Sequence, residues 1–140
     1  MIIGQGELLG ALRELAATLG VGEDVRFVGF QPNPWKFMKN AAVFVLSSAW
    51  EGFGNVLAEA LSLGVPVVST DCPHGPREIL QDGRLGHLVP VGDPAALGQA
   101  IARTLDDPPE RSALIAGAHR FTPQVSGARY LELLLATDPA

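Results

Sequence analysis

The feature that most constrains this chain is its alternation of short apolar runs with longer stretches of helical periodicity. Apolar runs fall at residues 2–3, 25–28, 42–47, 66–70 and 85–89. Between them, residues 7–19 carry Leu8, Leu12, Leu15 and Leu19 at steps of three and four, the spacing of one helix face. Short helices are expected over 35–41 and 76–80, a longer one over 55–63, and helical structure from Pro94 to the end. Gly20 and Gly64 stand where two of these helices should stop. Pro94, Pro108 and Pro123 mark expected helix starts. The run at 42–47 is continuous rather than alternating, as in strands buried on both faces. Strands alternating with helices predict an α/β fold, a Rossmann-like parallel sheet with helices on both faces.

Its 140 residues suffice for one domain with a core and are too few for two, so residues 1–140 are expected to form a single domain. Met1-Ile2-Ile3 reads as the tail of a buried strand, so the first strand is expected to be truncated. Either a boundary inside a longer protein or a start codon assigned too late would explain that. With 47% apolar and 18% charged residues the composition is that of a globular chain. A net charge of −5 offers no basic field, so nucleic acid is not an expected partner. No apolar run approaches the roughly 20 residues that span a bilayer. The start shows no signal peptide, and the lone Cys72 fits a reducing compartment. A cytoplasmic location is expected.

Parallel sheets bind ligands beyond the carboxyl ends of their strands. The run at 42–47 delivers the chain there, and Ser48-Ala49-Trp50-Glu51-Gly52-Phe53-Gly54-Asn55 follows. Gly52 and Gly54 permit a close backbone approach or a positive φ, and Asn55 is expected to cap the next helix. The unpaired N–H groups and positive dipole end of that helix form an anion site suited to a phosphate. Glu59 is the only charge in Val56-Leu57-Ala58-Glu59-Ala60-Leu61-Ser62-Leu63, so it must be paired, hydrogen-bonded or turned to a cavity. Glu51, Asn55 and Glu59 are spaced by four, although Glu51 lies in the loop. Spacing alone leaves a second reading open: glycine-rich loops precede many helices, and a single Glu can pair with a neighbouring cation.

The stretch from Glu51 to Ala60 resembles the E-x7-E motif of the group-1 family of retaining glycosyltransferases with the GT-B fold. The likeness continues through Gly64-Val65-Pro66-Val67-Val68-Ser69-Thr70. It also takes in Ile3-Gly4-Gln5-Gly6, Val25-Arg26-Phe27-Val28-Gly29 and Glu78-Ile79-Leu80-Gln81-Asp82-Gly83, in the family's order. The resemblance implies the C-terminal, nucleotide-sugar-binding half of that fold. The backbone at Gly52, Phe53 and Gly54 would meet the donor's sugar hydroxyls, and Asn55 and Val56 its diphosphate. Glu59 would accept from the ribose, Glu51 would lie by the transferred sugar as the catalytic carboxylate, and Gln31 and Lys36 would sit near the base. The implied reaction moves a sugar from a nucleoside-diphosphate sugar to an acceptor hydroxyl with retention, in polysaccharide or glycolipid assembly. UDP-sugars and GDP-sugars both fit. The donor is a substrate, and neither a cofactor nor a metal is implied; His74, His87 and His119 are scattered. The family's upstream strand, with an Arg and a Lys on the diphosphate, and its N-terminal acceptor-binding domain have no counterpart in the sequence. The chain alone is therefore expected to be inactive, and any peripheral membrane contact belongs to a full-length protein.

Two alternatives belong to other classes. Gly4-x-Gly6-x-x-x-Gly10 after a strand is reminiscent of an NAD(P) fingerprint, although Glu23 and Asp24 precede the second strand where an acidic residue should end it. A non-catalytic nucleotide-binding or interaction module would instead show an exposed apolar face near residues 1–3 and along the C-terminal helix. The 131–135 run, Leu-Glu-Leu-Leu-Leu, is expected either in the core or against that absent domain. Cys72 with His74, in a tight turn, reads as structural.

Overall fold

A computed structural model describes residues 1–136. The described chain forms two compact units, Met1–Lys36 and a second that begins at Phe37.

In the first unit, helix α1 (Leu9–Thr18) follows a glycine-containing turn. The expected strands at 2–3 and 25–28 reduce to one parallel bridge between Ile2 and Phe27. The Ile2 N–H donates to the Arg26 carbonyl at 2.7 Å, and the Val28 N–H to the Ile2 carbonyl at 3.0 Å. Only Ala16 of α1 is buried. Leu8, Leu12, Leu15 and Leu19, which carry the periodicity, are 40–68% exposed. The boundary between the units falls inside helix α2 (Trp35–Met38).

The second unit holds strands β1 (Phe44–Leu46), β2 (Val67–Thr70) and β3 (His87–Val89) in a parallel sheet of order β1-β2-β3. Phe44 stands opposite Val67, and Val68 opposite His87. Helix α3 (Asn55–Ser62) links β1 to β2, and α4 (Pro76–Ile79) links β2 to β3. Then come α5 (Pro94–Asp106), α6 (Arg111–Ala118), a 3-10 turn (His119–Phe121) and α7 (Pro123–Leu135). Successive strand side chains face opposite sides. Val67 accordingly joins Leu57, Ala60, Leu61, Ile79, Leu80 and Leu114 on one face. Val68 packs with Val89 and Ala100 of α5 on the other. The sheet of this unit is therefore covered on both faces, as the alternation predicts.

Three expectations shift. Burial on both faces belongs to β2, every residue of which is buried, whereas β1 has a single neighbour in the sheet and is half-buried throughout. Pro94 and Pro123 open helices as expected, after Asp93 and Thr122, whose side chains accept from the N–H of Ala96 and Val125. Pro108 lies short of α6, which begins at Arg111. Of the two places expected for the 131–135 segment, the core is excluded: Leu131, Leu133, Leu134 and Leu135 of α7 are 59–77% exposed.

Candidate functional site

The loops that leave β1 and β2 meet at the carboxyl edge of the sheet. Thr70, the last residue of β2, is buried, and its hydroxyl donates to the Ser48 carbonyl at 2.6 Å. The Ser48 hydroxyl in turn donates to Glu51 Oε1 at 2.6 Å. A hydroxyl on the buried central strand thus anchors the start of the loop, and the next hydroxyl orients the half-buried Glu51 carboxylate. Neither Ser48 nor Thr70 belongs to the motif read from sequence. The available signals were a polar pair, Ser69-Thr70, closing an apolar strand, and a Ser three residues before a Glu.

At the head of α3 the capping residue is Gly54, not Asn55. Gly54 has φ 85° and ψ 48°, the left-handed conformation that glycine adopts without a Cβ clash. Its carbonyl accepts from the Leu57 N–H at 2.9 Å, so Asn55 is already the first helical residue and its side chain makes no capping bond. Among the described residues, the N–H groups of Gly54, Asn55 and Val56 have no backbone or side-chain acceptor. These are the orphan donors of a helix start, where the dipole is positive. Leu57, Ala60 and Leu61 turn inward. Asn55 and Glu59, one turn apart, share a different face, with Asn55 exposed and Glu59 half-buried. Glu51 and the start of α3 are joined through Gly54: a Cβ placed there would lie 3.9 Å from Glu51 Cγ.

The loop after β2 closes over the first one. Gly75, with φ 92°, packs against the backbone of Phe53. The loop after β2 therefore lines this sheet edge together with the first one. Beyond Gly75, Arg77 pairs with Asp71 and lies 3.6 Å from Asp82. The hydrogen bond that Arg77 donates to Asp71, and then the charge of Asp71, raise the Arg77 pKa above its ordinary value, so this group is a fixed cation. Open hollows of about 580 and 620 Å³ flank Arg77, the first reaching His87 and Pro90 and the second His74, Glu78 and Arg120. Residues 51–56 border neither.

Gln31 and Lys36 lie in the first unit. The Gln31 side-chain amide donates to the Val28 carbonyl at 2.9 Å, and the Lys36 N–H to Asn33 Oδ1 at 3.4 Å. Gly10 of the apparent dinucleotide fingerprint has nothing within 4 Å of a Cβ placed on it, so the close helix–strand packing that motif needs from its third glycine is not found there. Among the described residues, no cluster of three or more His, Cys, Asp or Glu could hold a metal ion. No helix among them is long and apolar enough to cross a membrane.

Comparison with known sequences and structures follows the same lines. The sequence model of the family described as "Glycosyl transferases group 1" matches residues 1–121. The lipopolysaccharide core biosynthesis glycosyltransferase LpsE of Rhizobium meliloti is 36% identical over 138 residues, 95% of this chain and 40% of that protein. The apo form of the lipopolysaccharide outer core galactosyltransferase WaaB superposes with a TM-score of 0.87 at 26% identity, over 96% of this chain and 40% of that one. The Anabaena protein Alr3699/HepE, solved in complex with UDP, superposes with a TM-score of 0.77 at 24% identity, again over 96% and 40%. The chain thus spans about two fifths of the length of each of these proteins.

Proposed function

The chain belongs to the group 1 glycosyltransferases, and from that premise we propose that it is the donor-binding part of a retaining GT-B enzyme. In this reading residues 1–140 hold a nucleoside-diphosphate sugar, while the acceptor is held by an N-terminal domain of a longer protein. The full-length enzyme would add sugars to a lipopolysaccharide or related glycan, as the names of LpsE and WaaB suggest for those relatives. One observation carries the proposal: the unpaired N–H groups of Gly54, Asn55 and Val56 stand at the positive end of α3, next to a carboxylate that Ser48 orients.

The chemistry follows from that arrangement. When the bond between the anomeric carbon and the diphosphate breaks, negative charge builds on the diphosphate. Fixed N–H donors and a helix dipole stabilise that charge without reorganising. Gly52, Phe53 and Gly54 would meet the sugar hydroxyls, Glu59 the ribose, and Glu51 the transferred sugar, where its carboxylate can hold the ring or offset positive charge. Acting through helix N–H groups, the reading requires no metal and no cofactor. The buried free thiol of Cys72 is in keeping with a cytoplasmic setting.

The test is a titration of the isotopically labelled chain with UDP, GDP, ADP and NADP, following backbone amide shifts. UDP comes first, since HepE was solved with it. Shifts gathered on Gly52 to Val56 and Glu59 with one nucleoside diphosphate would support the reading and name the base. Shifts from NADP at Gly4 to Gly10 would overturn it. Sugar transfer by the 140-residue chain alone should be negligible, and ready turnover would refute a separate acceptor domain.

One observation favours a second reading, an interaction module. No residue of α7 is buried, and Tyr130, Leu131, Leu133, Leu134 and Leu135 form an exposed apolar run. Concentration-dependent self-association with no nucleotide binding would select it.

A further inference from the structure

Phe53, in the middle of the loop before α3, is held from two sides. A Cβ on Gly75 would sit 1.6 Å from the Phe53 carbonyl oxygen, so the two backbones are in direct contact. The Phe53 ring meets the ring of Phe121 edge-on, with centroids 5.6 Å apart and planes at 75°. Arg120 covers the other ring, its guanidinium carbon 4.6 Å from the Phe121 centroid. Arg120 Nη2 also donates to the Glu78 carbonyl at 2.7 Å, and Glu78 lies in α4, the helix that Gly75 caps. Arg120 Nε is buried and has no acceptor among the described residues. The contacts close a circuit from the loop through Gly75 and α4 to Arg120, then through Phe121 back to Phe53.

We propose that Arg120 and Phe121 are positioning residues for the diphosphate of the donor. The inference rests on the donor-binding reading and adds to it two side chains that would touch no ligand. A trans peptide points its C=O and N–H in opposite directions. With the Phe53 carbonyl turned onto Gly75, the Gly54 N–H in the same peptide points away from that loop. Rotation of the peptide would carry the N–H out of line with those of Asn55 and Val56. Gly54 itself resists rotation poorly, because glycine samples both signs of φ. The restraint comes instead from the Phe53 ring, packed on Phe121, and from the guanidinium that holds Phe121 to α4.

The experiment compares wild type with Phe121→Ala, Phe121→Tyr and Arg120→Met. It uses whichever of UDP, GDP and ADP binds the wild-type chain, together with the matching nucleoside. Phe121→Ala should weaken the diphosphate roughly 3- to 10-fold, the worth of one aromatic pair, and leave the nucleoside's affinity unchanged. Exchange of the Leu57 N–H, which donates to the Gly54 carbonyl at 2.9 Å, should accelerate in the free protein, while exchange in β2 should not. Arg120→Met should do the same to a smaller extent, and Phe121→Tyr should restore wild-type behaviour. Equal loss of nucleoside and diphosphate, or unchanged exchange at Leu57 in a folded variant, would overturn the proposal and leave the donor reading standing. Failure of the wild type to bind any of the three diphosphates would overturn both. Should Phe121→Ala not fold, Phe121→Leu and Arg120→Met carry the same test.

Discussion

Helices α1 and α3 have the same signature in sequence and opposite fates in the structure. Both place apolar residues at three- and four-residue steps. In α3 those positions, Leu57, Ala60 and Leu61, are fully buried against Val67 and Leu114. In α1, Leu12 and Leu15 stay 40% and 52% exposed, and the surrounding unit buries only Ala16. Periodicity therefore specifies that a helix forms and which stripe is apolar. Burial of the stripe depends on a partner, and α3 has one in β2 and α6 of its own unit. The helix so fixed is also the one whose unpaired N–H groups we propose as the anion site. A rigid helix start is what preorganised anion binding requires.

The largest expected effect tests how firmly the head of α3 is fixed. Gly75→Ala puts a methyl group onto the Phe53 carbonyl at a residue whose φ is 92°. Backbone strain and overpacking together should cost about 2–6 kcal/mol, read as a lowered urea midpoint. A loss below about 0.5 kcal/mol would show that the two loops do not press on one another, and would remove one side of the restraint on Phe53.

A matched pair of truncations addresses the comparison itself. Leu61→Ala in α3 should destabilise by about 2–5 kcal/mol, because it empties a closed core. Leu12→Ala in α1 should change stability by no more than about 0.5 kcal/mol, since that side chain already meets solvent. Thermal melts of the two variants decide it. Comparable losses would mean that the α1 stripe is buried in solution, by a second copy of the chain for instance.

The motif and its helix were legible because both are local. Glu51 to Glu59 is one continuous stretch, and the proposed anion site needs only a glycine loop running into a helix. The doubly covered sheet was legible too, since an apolar run between two helical segments has few other ways to bury itself. The contacts that hold the loop in place were not. Thr70 reaches Ser48 across 22 residues, and Phe121 and Arg120 come from a turn after the last helix of the core. No periodicity encodes such pairings. The burial of β1 was misjudged for a related reason: a run of apolar residues does not reveal whether its strand has one neighbour or two.

The smallest effect separates two kinds of helix start. Asp93 caps α5 by accepting from the Ala96 N–H at 2.8 Å, so Asp93→Ala should cost about 1 kcal/mol. Asn55 was expected in that role from its position, yet Gly54 has taken it and the Asn55 side chain makes no capping bond. Asn55→Ala should therefore leave the urea midpoint within error of wild type. It should also leave nucleotide binding nearly intact, because the proposed contact is the backbone N–H, which alanine retains. Asn55→Pro removes that N–H at the first helical position, where proline is tolerated, and should weaken a nucleoside diphosphate. It also strains Gly54, whose ψ of 48° lies outside the extended range proline imposes on the residue before it, so some stability is lost with it. If alanine at 55 destabilised as much as alanine at 93, the side chain would be capping after all. The N–H groups at the head of α3 would then be partly satisfied by the protein, and α3 would offer an anion less than its geometry suggests.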